Sequence, residues 1–191
     1  MIEDVERKFL AAWHVFAQTV EGVRAPEATY QVWFAHYLIS QFGIDRVARE
    51  PIFKHLHAGS AWQTVVPGGE VKLDAVITRE PGIDLPHYVH RGGDGTGMHT
   101  LGDLAVICEL KVASTAGGGL DHRDVAQDVY KLSLLLEQAD ARGLHRPLAF
   151  ACILDNNPAR RYRRAGLDRR LQDMVPDPRV RVLFCQGSLS D

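Results

Sequence analysis

Three cysteines in a chain of 191 residues cannot form a closed disulfide framework, because an odd number leaves one over in any pairing. Cys108, Cys152 and Cys185 each stand inside an apolar, strand-like run, as small core residues in a reducing compartment would. No apolar span reaches the roughly 18 residues of a membrane-crossing helix, and MIEDVERKFL has neither the basic start nor the apolar run of a signal peptide. A cytoplasmic location, with no membrane partner, is the expectation. Neither sign of charge dominates: the formal net charge is −2, so any nucleic-acid binding must come from a local basic patch. GGDGTG (92–97) and AGGGL (116–120) contain neither GxGxxG nor a GK[ST] ending, and HExxH and GxSxG are also missing, which removes the familiar nucleotide, zinc-protease and nucleophile-elbow readings. With 46% hydrophobic and 24% charged residues, the chain has the composition of a globular protein, and its length suits a single domain over 1–191.

Val5, Phe9, Leu10, Trp13, Phe16 and Val20 recur at helical spacing and predict a helix over 2–21, ended by Gly22. Pro26 opens a second, whose stripe of Tyr30, Trp33, Phe34, Tyr37, Leu38 and Phe42 runs to Gly43. VAREPIF (47–53) and VKLDAVI (71–77) read as antiparallel strands joined by a turn-rich connection with Gly59, Pro67, Gly68 and Gly69. Residues 79–102, rich in Gly, Pro, His and Asp, predict an irregular excursion. LGDLAVICELKV (101–112) is the next strand and STAGGGL (114–120) a flexible link. A helix follows over 121–143, with Asp121 as N-cap and Gly143 as stop. RPLAFACIL (146–154), PARRYRRAGLDRRLQDM (158–174) and VRVLFCQ (180–186) read as strand, helix and strand. The order α-α-β-β-β-α-β-α-β predicts an α/β fold with one mixed central sheet flanked by helices. The order of strands within that sheet is not legible.

Two strands carry charges where apolar residues are expected. In VICELKV (106–112), Glu109 and Lys111 share one face while Cys108, Leu110 and Val112 share the other. Burying such a pair costs several kcal/mol per ion in desolvation, on an order-of-magnitude scale, and pairing returns only part of it. VKLDAVI holds Asp74, and if the two strands pair, two carboxylates and an ammonium converge. Oxygen ligands of this kind suit Mg²⁺, which takes one or two protein carboxylates and completes its shell with water and phosphate. Such a site has the parts for phosphodiester hydrolysis, with Lys111 orienting the attacking water or stabilising developing charge.

Asp74 followed by Glu109-Leu110-Lys111 resembles the PD-(D/E)xK nuclease superfamily, the restriction-endonuclease-like enzymes. Their α-β-β-β-α-β core corresponds to the elements from about 26 to 154, leaving an extra N-terminal helix and a C-terminal helix-strand extension. The resemblance implies a Mg²⁺- or Mn²⁺-dependent nuclease with Asp74 and Glu109 as metal ligands and Lys111 as the catalytic lysine. Glu27 falls where many members carry a further acidic metal residue, and Gln127, Tyr130 and Lys131 fall on the helix face that often supplies a polar residue to the site. Leu73 stands where the motif has proline, and 34 residues separate Asp74 from Glu109, a long gap. The implied partner is nucleic acid, DNA ahead of RNA, and cutting both strands of a duplex commonly calls for two sites, which admits a homodimer.

Each residue also has a plainer reading. Glu109 and Lys111 could be an ion pair at a sheet edge, and Asp74 could pair with Lys72 or Arg79. Asp103 lies six positions from Glu109 on the same strand, too far to share an ion with it. Glu27 could simply favour the positive end of its helix, Gln127 and Lys131 could be solvated, and Asp128 with Lys131 has the spacing of an ordinary helix pair. Arg160, Arg161, Arg163, Arg164, Arg169 and Arg170 could contact phosphates, with Tyr162 available for stacking, or form a solvated face. Two further functions stay open. One is a nuclease-fold module that binds nucleic acid or a protein without cleaving; the other is a zinc protein using His55, His57, His87, His90 and His99.

Overall fold

The computed structural model describes residues 2–54, 70–82, 85, 98–114, 120–157 and 162–186. The apolar stripes of the first two helices form α1 (Ile2–Thr19) and α2 (Glu27–Phe42). Gly43 ends α2 at φ 92°, a left-handed conformation that glycine adopts without penalty, and its N–H donates to the Ile39 carbonyl at 2.8 Å. β1 (Val47–Arg49) and β2 (Ile52–Lys54) follow, then β3 (Glu70–Lys72) and β4 (Ala75–Thr78). The chain continues through α3 (Met98–Gly102), β5 (Leu104–Ala113), α4 (His122–Ala141), β6 (Leu148–Asp155), α5 (Arg164–Met174) and β7 (Val180–Gln186). Asp121 caps α4 as expected, its Oδ1 accepting from the Arg123 N–H at 2.8 Å.

Five strands form a mixed sheet in the order β1-β4-β5-β6-β7. The β1–β4 and β4–β5 pairs are antiparallel, whereas β5–β6 and β6–β7 are parallel. β5 is therefore the central strand, at the junction between the antiparallel and parallel halves. Val106, Cys108 and Leu110 of β5, with Phe150, Cys152 and Leu154 of β6, pack against α1 and α2. The Phe9 ring of α1 stacks on Phe150 at 4.1 Å, a contact worth about 1 kcal/mol beyond its area. Ile107, Ala149 and Ala151 face Val129, Leu132, Leu135 and Leu136 of α4 on the opposite side. Strand alternation puts Glu109 and Lys111 on this second face, beneath α4.

Three sequence expectations need correction. The two hairpin strands are each broken, at Glu50–Pro51 and at Leu73–Asp74, so that β2 and β3 form a separate two-stranded ladder. Pro51 has no N–H for a ladder, and Glu50 before it turns to φ 54°. The 79–102 excursion ends in a helical turn, α3, because Leu101 is drawn fully into the core. The helix expected from 158 begins at Arg164, with Tyr162 and Arg163 still non-helical before it. The Gly59 and Pro67–Gly69 connection, residues 91–97 and 115–119, and Pro158 lie outside the described residues. Among the described residues no helix is long and apolar enough to cross a membrane.

Candidate functional site

β4 accompanies β5 only as far as the Ala75–Cys108 pair. Beyond that point the amides of Leu110 and Val112 face an edge with no strand to receive them, and buried amides need acceptors. Two carboxylates fill the role. Asp74, carried out of the ladder by the break before β4, accepts from the Leu110 N–H through Oδ2 at 2.7 Å. Glu27, the first residue of α2, accepts from the Val112 N–H through Oε2 at 3.0 Å. One turn along α2, Gln31 donates its Nε2 to Asp74 Oδ1 at 2.7 Å, and the Gln31 carbonyl oxygen accepts from Arg49 Nη2 at 3.3 Å.

On the α4 face the charges form a chain. Glu109, only 3% exposed, lies 2.6 Å from Lys131 Nζ. Lys131 also meets Asp128 at 3.1 Å; the other Asp128 oxygen is 3.2 Å from Lys111, and Lys111 is 3.8 Å from Glu27. The ammonium beside Glu109 is thus that of Lys131, while Lys111 pairs with Asp128 and Glu27. Burial pushes the Glu109 carboxyl well above the ordinary glutamate range; Asp74 and Asp128 push it further against the pull of Lys131. Burial likewise raises Glu27. Burial works to lower both lysines, but Asp128 with Glu27 for Lys111, and Glu109 with Asp128 for Lys131, override it and raise them, so both stay protonated at neutral pH.

Asp74, Glu109, Lys111, Glu27 and Lys131 therefore belong to one electrostatically coupled seam between α2, β5 and α4. Gln127 is half-buried one turn before Lys131 and makes no hydrogen bond to the carboxylates among the described residues. Two participants, Gln31 and Arg49, were not singled out from sequence, and a third, Asp128, was read only as an ordinary helix pair of Lys131, a pair the structure contains. Spacing carried a partial signal for two of them, since Gln31 follows Glu27 by four positions and Asp128 precedes Lys131 by three. A cleft of about 350 Å³ opens beside Lys111 and Glu27, with Ser114, Asp121 and Asp124 on its wall. A second cavity, about 170 Å³, lies at Arg46, Arg79 and His145 and shares no residue with the seam.

The donor set suits a hard divalent cation. Four carboxylates (Asp74, Glu109, Asp128 and Glu27) face the ammonium groups of Lys111 and Lys131, with the Arg49 guanidinium reached through Gln31, so with every group ionised the seam carries one negative charge in excess. Among the described residues no three His, Cys, Asp or Glu side chains form a ready-made metal cage. An ion taking one or two protein carboxylates and otherwise water, as Mg²⁺ does, needs no such cage.

α5 packs on the same side of the sheet as Glu109, where Leu167 meets Val125 and Ala126 of α4 and Ile153 of β6. Arg163, Arg164, Arg169 and Arg170 are exposed there, and Arg164 pairs with Asp168 at 2.8 Å. Tyr162 is no stacking platform: it is 4% exposed, stacked on His122 at 4.6 Å and tilted against Phe184. Arg160, Arg161, His55, His57, His87 and His90, and the His99 side chain, lie outside the described residues. No protein-family model, curated protein or solved structure gives a significant match to this chain.

Proposed function

We propose that this protein is a metal-dependent nuclease of the PD-(D/E)xK kind, hydrolysing phosphodiester bonds of nucleic acid, with DNA ahead of RNA. The observation that carries the reading is the seam itself. An acid in the break just before β4, an acid on β5, an acid at the start of α2 and two lysines converge where β4 parts from β5, with negative charge in excess. The sequence α2-β1-β4-β5-α4-β6, with an antiparallel meander and a parallel fourth strand, supports the restriction-endonuclease-like assignment. Asp74 and Glu109 would hold Mg²⁺ or Mn²⁺, assisted by Glu27. The bound ion supplies polarisation of a phosphodiester and a more acidic water. Lys111, kept protonated by Asp128 and Glu27, orients the attacking water and stabilises the charge that develops, rather than acting as a base. Lys131 neutralises Glu109, and the exposed arginines of α5 contribute positive charge on that side of the sheet.

Purified protein should cleave plasmid or single-stranded DNA with Mg²⁺ or Mn²⁺. Glu109→Ala and Lys111→Ala should each reduce the rate by about a hundredfold or more. Cleavage that survives both substitutions rejects the assignment.

One observation favours the non-cleaving alternative. Both Asp74 oxygens and one of Glu27 already accept hydrogen bonds, and Glu109 already has an ammonium, so the seam also serves as a structural closure of the β5 edge. Nucleic-acid binding without metal-dependent cleavage would select that reading.

A further inference from the structure

We propose that Arg49 is a phosphate-binding residue of this site, receiving a backbone phosphate of the nucleic acid; the inference rests on the nucleic-acid reading above. Arg49 closes β1, and its Nη2 donates to Gln31 Oε1 at 3.3 Å. Gln31 in turn donates Nε2 to Asp74 at 2.7 Å, so the two contacts fix the amide with its oxygen toward the arginine and its nitrogen toward the carboxylate. Arg49 therefore stands two hydrogen bonds from Asp74 without pairing to it. A guanidinium placed to neutralise Asp74 would make the direct charge-assisted contact, which is shorter and stronger than one relayed through an amide.

The rest of its surroundings leave the charge under-neutralised. Glu50 is 4.0 Å away and is held by Lys72 at 3.1 Å. Arg49 Nε is buried without a hydrogen-bond partner, a state that is uncommon and asks for an explanation. The side chain is 30% exposed, open to a ligand. Lys111 and Lys131, by contrast, are both committed to carboxylates. A seam with excess negative charge repels a phosphodiester unless a nearby cation has charge to spare. The planar fork of an arginine suits phosphate oxygens in particular.

The test is fluorescence anisotropy with a labelled single-stranded oligonucleotide in Mg²⁺ buffer, in the Glu109→Gln background so that cleavage does not intervene. Arg49→Gln should weaken binding about fivefold or more and flatten the dependence of log affinity on log salt by about 0.7, the loss of one phosphate contact. Arg49→Lys should recover the salt slope. Unchanged affinity and slope in Arg49→Gln overturns the assignment while leaving the nuclease reading intact. Should Arg49→Gln melt below the assay temperature, Arg49→Met compared with the parent at a lower temperature decides by the same readings: a weaker affinity with a flatter slope supports the contact, and unchanged affinity and slope overturn it. Arg49-dependent binding by a parent protein that does not cleave keeps the phosphate contact and removes the nuclease. Absence of binding removes both.

Discussion

Glu109 is a carboxylate that β5 buries beneath α4, and the cost of burial raises its proton affinity. Its carboxyl is pushed well above the ordinary glutamate range, chiefly by burial, with Asp74 and Asp128 adding to the effect. An acid whose folded pKa lies above its unfolded one stabilises the fold fully below the unfolded value, and that contribution is lost as pH rises through the folded value. In metal-free buffer the protein should therefore lose thermal stability as pH climbs from the ordinary glutamate range toward the raised folded value, and Glu27, shifted the same way, adds to the slope. Lys111 and Lys131, both raised, stay protonated through the neutral range and do not produce this loss. Glu109→Gln should melt higher than the parent at the alkaline end and show a flatter profile; parallel melting profiles for the two would contradict the assigned shift. Glu109, Lys111 and Asp74 were legible in the sequence because a charge inside an apolar strand is out of place. Gln31 and Arg49 were not, and of Asp128 only its pair with Lys131 was, its contact with Lys111 being hidden, since a polar residue on a helix or at a strand end is ordinary until tertiary contacts assign its partner.

Prolines govern two element boundaries, and one of them, the break after β1, is not marked by the spacing of apolar residues. The non-glycine residues with positive φ among those described, Glu50 at 54° and Val175 at 46°, each stand directly before a proline, which disfavours the right-handed helical region for its predecessor. At Glu50 the turn breaks β1 from β2. The partner strand breaks opposite, where Leu73 N–H still reaches the Pro51 carbonyl at 3.3 Å and Asp74 is freed from the ladder to serve β5. At Val175 the same turn caps α5, with the Val175 N–H on the Leu171 carbonyl at 2.9 Å, but a β-branched residue is strained there. Val175→Gly should stabilise the protein by about 0.5–1 kcal/mol, read as a higher urea midpoint at unchanged slope. An unchanged or lower midpoint would contradict the strain. The helix from Glu27, the cap at Asp121 and the strand at 180–186 could be read from local pattern; the broken hairpin could not, because a continuous apolar run hides the lost ladder bond.

At the scale of the molecule, the site exists because β5 sits at the centre of the sheet, antiparallel to β4 and parallel to β6. That position lets α2 reach its edge from one face with Glu27 and Gln31, while α4 covers the other with Asp128 and Lys131. Element types could be inferred from periodicity, but the strand order could not: it depends on pairings between residues tens of positions apart, such as Ala75 with Cys108, that no local pattern encodes. On the proposed reading, Asp74 and Glu109 hold a divalent cation where β4 parts from β5. Calorimetric titration of the protein with Mn²⁺ tests it most directly. The parent chain should give a saturable heat that disappears in Asp74→Ala; no saturable heat in the parent, or the same heat in the variant, rules the cation out.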